Sequence, residues 1–358
     1  LPNTVCGTFG GLASFIYIES FFQKNRVLAK DLRAAGDKKM VLVWTNISWF
    51  ILLHAASLYG LYLSFTDAMW QTNVFAFLCY LMSGFGITVG VHRLWAHKAF
   101  TAKWPLRLVL MLWNTMAFQD SVIDWCRDHR VHHKYSDTDF DPHNAERGFI
   151  FCHVGWLCCR KSEAVKDKGR KIDLSDLYAD PILAFQRKHY MKLMPVMCFI
   201  LPTVIPVYFW DESWINSFCI PTLLRYTIVL NATWSVNSFA HFFGLRPYDR
   251  GLNPRENLGV SMVALGEGFH NFHHSFPWDY KAAELPFYNL PNPSTALIDF
   301  MAYIGQASDL KYVSGDVVQR RALRTGDGTY KIWGWADKDI TESEKKITKI
   351  SHPSQQSI

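Results

Sequence analysis

The chain lacks several of the signatures on which a soluble enzyme is usually recognised. Its eight cysteines (Cys6, Cys79, Cys126, Cys152, Cys158, Cys159, Cys198, Cys219) form no C-x-x-C pair and show no regular spacing. That excludes a zinc ribbon and a thioredoxin-type motif, and the thiols read as reduced. Cys79, Cys198 and Cys219 fall in apolar runs, where Cys acts as a small hydrophobe. No G-x-G-x-x-G, P-loop or serine nucleophile elbow occurs, so dinucleotide binding, phosphate cradling and serine hydrolysis lose their markers. Residues 8–22 are apolar but lack a basic leader and an A-x-A-like site; an interfacial or disordered arm is expected there, not a signal peptide. Lys and Arg are nearly absent from the long apolar runs, although the net charge is +6. A uniformly basic surface for nucleic acid is therefore not expected, whereas a membrane protein with a basic cytosolic side is.

What is abundant is apolar. Hydrophobic residues make up 49% of the chain and aromatics 15%, and they are clumped. Four runs, at about 41–65, 73–92, 191–210 and 217–240, are near the roughly 20 residues a spanning helix needs. Gly84, Gly86 and Gly90 in the second run allow close helix approach. Pro195, Pro202 and Pro206 predict kinks in the third. Arg225, near the start of the fourth, is expected to snorkel to the interface. Pro105 to Phe118 reads as an amphipathic or interfacial helix. The connections 66–72 and 211–216 contain no Lys or Arg, and the remaining segments hold nearly all 37. The positive-inside rule then predicts an all-α integral membrane protein with four transmembrane helices, cytosolic termini and a cytosolic helical cap.

Histidine marks the chemistry. His129-Arg130-Val131-His132-His133 and His270-Asn271-Phe272-His273-His274 repeat one spacing, and His92 and His97 add a pair. On a helix, positions i, i+3 and i+4 share a face, so each cluster is expected to aim its imidazoles at one point. His92 and His97 are five apart, which does not fit one face of a straight helix, so the second span is expected to end or unwind near Arg93-Leu94-Trp95. All three clusters fall on the predicted cytosolic side, as does His241. Nine imidazoles exceed what one metal takes and suit two, of the iron, copper, nickel or zinc type. His54, His143, His153, His189 and His352 are read as packed or solvated. A zinc-dependent membrane protein or transporter would place histidines near the midplane, which is not the pattern here.

These residues carry a resemblance. His92-Arg93-Leu94-Trp95-Ala96-His97, His129 to His133 and His270 to His274 resemble the three histidine boxes of membrane fatty acyl desaturases. Gly86 to His92, Asp141-Pro142-His143-Asn144, Gly155-Trp156 and Gly266-Glu267-Gly268-Phe269-His270 are similar to the animal stearoyl-CoA type. The resemblance runs from about Trp44 to Ser314. It implies a cytosolic arm over 1–40, a desaturase domain over 41–314 with catalytic segments 93–190 and 241–314, and a cytosolic tail over 315–358. It implies a di-iron centre on His92, His97, His129, His132, His133, His241, His270, His273 and His274, with Asn237 reaching a metal through water. Asn237, at i−4 from His241, would share its helical face. The resemblance also implies a long-chain saturated acyl-CoA substrate, molecular oxygen, and cytochrome b5 with its reductase as electron donor, in the endoplasmic reticulum membrane. The acyl tunnel would bend at Gln119, Trp125 and Thr233 and close near Tyr80 and Gly84. Arg127, Asp128, Arg160, Lys161 and Trp234 would hold the CoA end. Phe272 and Phe239 depart from the family pattern without removing a ligand. A related di-iron hydroxylase would need the same site, and product analysis separates the two.

Overall fold

A computed structural model describes residues 40–289, 291–330 and 341–347. The expected N-terminal arm, apart from Met40, and much of the C-terminal tail lie outside the described residues. Within them the chain is overwhelmingly helical, with one two-stranded antiparallel ladder pairing Thr101–Ala102 with Ala307–Ser308.

Three described helices are long and apolar enough to cross a membrane: α1 (Trp44–Thr66), α2 (Trp70–Ala96) and, after several shorter helices, a third introduced below as α5. Between them come α3 (Trp104–Ala117), with Pro105 in its first turn, and α4 (Val122–Tyr135), whose Ser121 caps the Asp124 N–H. The third long helix, α5 (Pro181–Trp210), starts ten residues before the expected apolar run. A fourth helical stretch, α6, runs over 214–237, but it carries Asn216, Arg225, Asn231 and Thr233 and is less uniformly apolar than the other three. Large side chains on the outward face of α1, among them Ile51, Leu52, Leu58 and Phe65, are exposed, as a lipid-facing surface would be.

Close packing follows from glycine. A Cβ on Gly60 would lie 2.4 Å from Cys219 O, so α1 and α6 touch backbone to backbone. A Cβ on Gly86 would lie 2.3 Å from Asn114 N, and one on Gly90 3.2 Å from Leu110 Cβ, so the small residues of α2 press against α3. The connections at the other end are tied by Glu212, which accepts from Thr72 Oγ1 at 2.6 Å, Met69 N–H at 2.9 Å and Asn216 Nδ2 at 2.9 Å.

One expectation is met in a particular form and one needs correction. The second span is underwound through Arg93-Leu94-Trp95: from Gly86 it is a π-helix, which ends at Ala96. Its turns are wider because each bond reaches five residues back. Arg225 does not snorkel. It is 1% exposed and donates to Pro221 O at 3.0 Å, Met116 O at 2.9 Å and Cys198 O at 2.9 Å. A guanidinium buried without polar partners would be costly, and here backbone carbonyls of α3, α5 and α6 supply them.

Candidate metal centre

The site is built where the π-helical end of α2, the helix α4 and the short helix His270–Ser275 meet. In an α-helix a residue five on points about 140° away, at about 100° per residue. The π-helix removes that offset: His97 N–H donates to His92 O at 3.1 Å, and the two rings stand 4.9 Å apart. Both imidazoles therefore enter one space.

Nine imidazoles sort into two groups among the described residues. One holds His92, His97, His129, His133 and His273; the other holds His132, His241, His270 and His274; within each, the ligand atoms all lie within 4.8 Å of one another. The two HxxHH clusters do not each aim at one point, as the sequence reading expected. His129 and His133 (i and i+4) join the first group while His132 (i+3) turns to the second. The other cluster reverses this: His270 and His274 join the second group and His273 the first. On a helix, i+3 and i+4 lie on opposite sides of position i, so a helix lying between two centres serves both. The groups abut where His133 stacks on His274, with ring centroids 4.2 Å apart.

The donor atoms fit metal ions. In the first group, Nε2 of His92 and His273 are 3.0 Å apart, those of His97 and His129 2.8 Å, and those of His133 and His273 3.0 Å. Bonds of about 2.0–2.1 Å put neighbouring ligands roughly 3 Å apart. In the second group, Nε2 of His132, His241, His270 and His274 are all buried and without a hydrogen-bond partner. Four orphaned acceptors converging in one place are costly unless something fills the space.

Carboxylates hold two of these rings from behind: Asp141 Oδ2 is 2.8 Å from His132 Nδ1 and Glu267 Oε2 is 3.0 Å from His92 Nδ1. Asp137 Oδ2 approaches His241 Nδ1 at 3.3 Å without hydrogen-bond geometry. A proton kept on Nδ1 leaves Nε2 free to ligate. Glu267 is in turn gripped by Arg93, at 2.9 Å from NH2 and 3.0 Å from Nε. The sequence reading named Glu267 and Asp141 only within motif strings, and it passed over Asp137. His143, read as packed, lies 3.6 Å from Asp141 and 4.3 Å ring to ring from His132.

Charge is arranged accordingly. Burial, then neighbouring imidazoles, hold the pKa of His97, His129, His133, His270, His273 and His274 well below the ordinary histidine value. These rings are neutral and available. Burial also lowers His132, but Asp141 more than offsets it and the net shift is upward. Burial raises Glu267, yet Arg93 and His92 outweigh it and the carboxyl stays ionised.

An apolar cavity opens from the imidazoles. His92, His129, His132 and His270 line it together with Trp125, Thr233, Asn237, Tyr80 and Gly84. Trp125 stacks on His129 at 4.8 Å, and Gln119 Nε2 donates to Thr233 Oγ1 at 3.0 Å. Asn237 ends the regular part of α6. A break at Ser238 separates it from the helix Phe239–Phe242 that carries His241, so the shared straight-helix face expected for Asn237 and His241 is not present. Arg127, Asp128 and Lys161 line a separate polar cleft with Lys166 and Arg170. Asp128 pairs with Arg127 at 3.1 Å and with Lys161. Arg160 is exposed and outside that cleft. Trp234 is also apart from it, 3% exposed in a core with Leu53 and Tyr226, with its ring 5.2 Å from Phe50.

Residues 68–307 match the family described as fatty acid desaturase. The chain is 58% identical over 303 residues to an acyl-CoA Delta-9 desaturase of Acheta domesticus, covering 85% of this chain and 84% of that one. It is 53% identical over 314 residues to an acyl-CoA Delta12-desaturase of the same organism, covering 88% of each. It is 53% identical over 293 residues to stearoyl-CoA desaturase 2 of Mus musculus, covering 82% of this chain and 81% of that one. Taken with the two groups of imidazoles beside an apolar cavity, these matches place the chain in the fatty acid desaturase family.

Proposed function

We propose that the protein is an acyl-CoA desaturase that introduces a cis double bond into a long-chain saturated fatty acyl-CoA. The observation that carries this reading is the convergence of nine imidazoles into two groups beside an apolar cavity that His92, His129, His132 and His270 line. The ligands of two iron ions would be His92, His97, His129, His133 and His273 for one, and His132, His241, His270 and His274 with Asn237 nearby for the other. Two irons, when bound, supply the oxygen-activating redox chemistry that an unactivated C–H bond requires and that redox-inert zinc lacks. Overall, two hydrogens leave adjacent methylenes, and one molecule of oxygen takes them up with two further electrons and two protons to give two waters. Cytochrome b5 and its reductase would supply the electrons.

The chain's own residues orient the substrate. The cavity beside Trp125 and Thr233 would place one pair of methylenes against the imidazoles, so selectivity comes from positioning. Its apolar walls exclude water. The CoA end, polar and phosphorylated, would lie toward the cleft of Arg127, Asp128 and Lys161, where Lys166 and Arg170 add positive charge. Four spans, with α6 as the fourth, would place the site on the cytosolic face of the endoplasmic reticulum membrane, with both termini cytosolic. The Lys- and Arg-free connections, tied together by Glu212, support that topology.

Expression in a desaturase-deficient yeast, with double bonds mapped by mass spectrometry, tests the function. Mono-unsaturated products are expected. Hydroxylated chains would point to the related hydroxylase, and unchanged lipids from a correctly inserted protein would refute both.

A further inference from the structure

The last carbonyls of a helix have no partner within it and must find one elsewhere. At the end of the π-helix of α2 that partner is an arginine of the second histidine box. Arg130 of α4 donates from Nη2 to Trp95 O at 2.8 Å and from Nε to Ala96 O at 3.2 Å. Its other donors are occupied as well. Nη2 and Nη1 reach Asp176 Oδ2 and Oδ1 at 2.7 and 2.9 Å, and Nη1 reaches Asp173 O at 2.8 Å. A guanidinium carries five N–H donors in a fixed plane, and here each meets one acceptor. The bidentate grip of Asp176 sets the plane of the fork, and the fork in turn sets where the two carbonyls lie. A positive charge at the C-terminal end of a helix is favourable in its own right.

This clamp joins two parts of one metal group. Arg130 stands between His129 and His133 on α4, and Ala96 directly precedes His97. All three histidines belong to the five-imidazole group, in which His97 Nε2 lies 2.8 Å from His129 Nε2. The chain turns sharply after His97: Lys98 has φ +52°, a left-handed conformation that non-glycine residues seldom adopt. Such a conformation persists where its surroundings fix it. Lys98 Nζ pairs with Asp176 Oδ2 at 2.9 Å, so one carboxylate holds both the clamp and the turn. Asp176 lies on the short helix Ser175–Tyr178, and Asp173, Ser175 and Tyr178 line the polar cleft beside it.

We propose that Arg130 is a positioning residue: it caps the π-helix of α2 and thereby keeps His97 at ligand distance from His129. This rests on the two-metal reading above. Arg130 touches neither metal nor substrate and acts through the backbone of Trp95 and Ala96.

The test uses full-length protein purified in detergent from cells supplied with Mössbauer-active iron, and reads iron retention against graded chelator, the Mössbauer spectrum and the melting temperature. Arg130→Gln is expected to weaken retention of one of the two irons about 10–100-fold, to change one spectral component and to leave the other iron in place. Arg130→Lys keeps the charge without the planar fork and should recover only part of the loss. Gly60→Ala is the control for general destabilisation, because its methyl would meet Cys219 O at 2.4 Å between α1 and α6. It should lower the melting temperature with both irons and both spectral components unchanged. Arg130→Gln protein that holds both irons as wild type does, or that releases both together as it melts, would overturn the proposal. Should that variant fail to fold, Asp176→Asn, which frees the fork but keeps its donors, is judged by the same two results. A wild-type chain that holds fewer than two irons would instead overturn the two-metal reading.

Discussion

His97 donates its backbone N–H to the carbonyl of His92, five residues earlier, at 3.1 Å. That one bond decides where the first histidine pair points. In an α-helix the two rings would diverge by about 140°; here they are 4.9 Å apart and both belong to the five-imidazole group. π-helical turns are uncommon and occur mostly at functional sites. This one extends from Gly86 to Ala96, and its packing on α3 holds it in register.

Gly86→Ala should therefore be strongly destabilising. The added methyl would meet Asn114 N and the Trp113 carbonyl carbon, each at 2.3 Å, and backbone cannot swing aside as a side chain can. Overpacking of this kind costs about 1–3 kcal/mol, read as a lower melting temperature of the purified protein in detergent. Gly315→Ala is the control, because nothing lies within 4 Å of its added carbon; its melting temperature should be unchanged or slightly higher.

The same region shows which features the sequence disclosed and which it did not. The apolar runs of α1, α2 and α5 were legible because hydrophobic length is a property of the chain itself. The nine histidines were legible because their residue type and spacing are unusual. Their division into two groups was not, because it depends on which side of each short helix faces which neighbour. The spacing of His92 and His97 showed that a straight α-helix could not carry both, but not that the departure would be a π-helix beginning as early as Gly86. The roles of Glu267 and Asp141 were not legible, since carboxylates are common and such a role appears only once a ring nitrogen lies about 3 Å away. Arg225 was misplaced because its partners are backbone carbonyls, which leave no mark in a sequence.

Arg225→Met should lower stability by about 2–5 kcal/mol while leaving the metal ligands in place. The substitution removes the hydrogen bonds to the Cys198 and Met116 carbonyls, and hydrogen bonds to a charged group are worth about 1.5–3 kcal/mol each. Arg225→Lys should rescue little, because one ammonium cannot reproduce the planar fork that spans carbonyls from three segments. Thermal melting measured alongside iron content checks this. A melting temperature unchanged in Arg225→Met would refute the bridging role.

Acid should weaken the metal-free protein. His97, His129, His133, His270, His273 and His274 have folded pKa values well below the ordinary one. An unfolded histidine titrates near about 6.5. Below that pH the unfolded chain binds more protons than the folded one, so stability falls as pH drops through that value. His132, shifted upward, and Glu256, raised to about 8 by burial, act in the opposite sense. His143 and His153, also lowered by burial, act with the six, and these depressed histidines outweigh the two. Metal-stripped protein should melt at a lower temperature at pH 5.5 than at pH 7.5, and the reverse order would contradict the neutral imidazole cluster.

Glu267→Gln should loosen the metal without unfolding the chain. An amide can offer its N–H to His92 Nδ1, which moves the imidazole proton to Nε2 and blocks ligation. Changes in such supporting groups cost about 10–100-fold in metal affinity. Retention of iron after dialysis against a graded series of chelator concentrations reads this directly. Asp141→Asn should act likewise through His132.

The central claim is that nine imidazoles form two metal sites, one of five and one of four. The most direct measurement is metal content of the full-length protein purified from iron-replete cells, by mass spectrometry against protein determined by amino-acid analysis. The account predicts two irons per chain, falling to one or fewer in His132→Ala. Active protein with a single metal ion per chain, or with zinc alone, would contradict it.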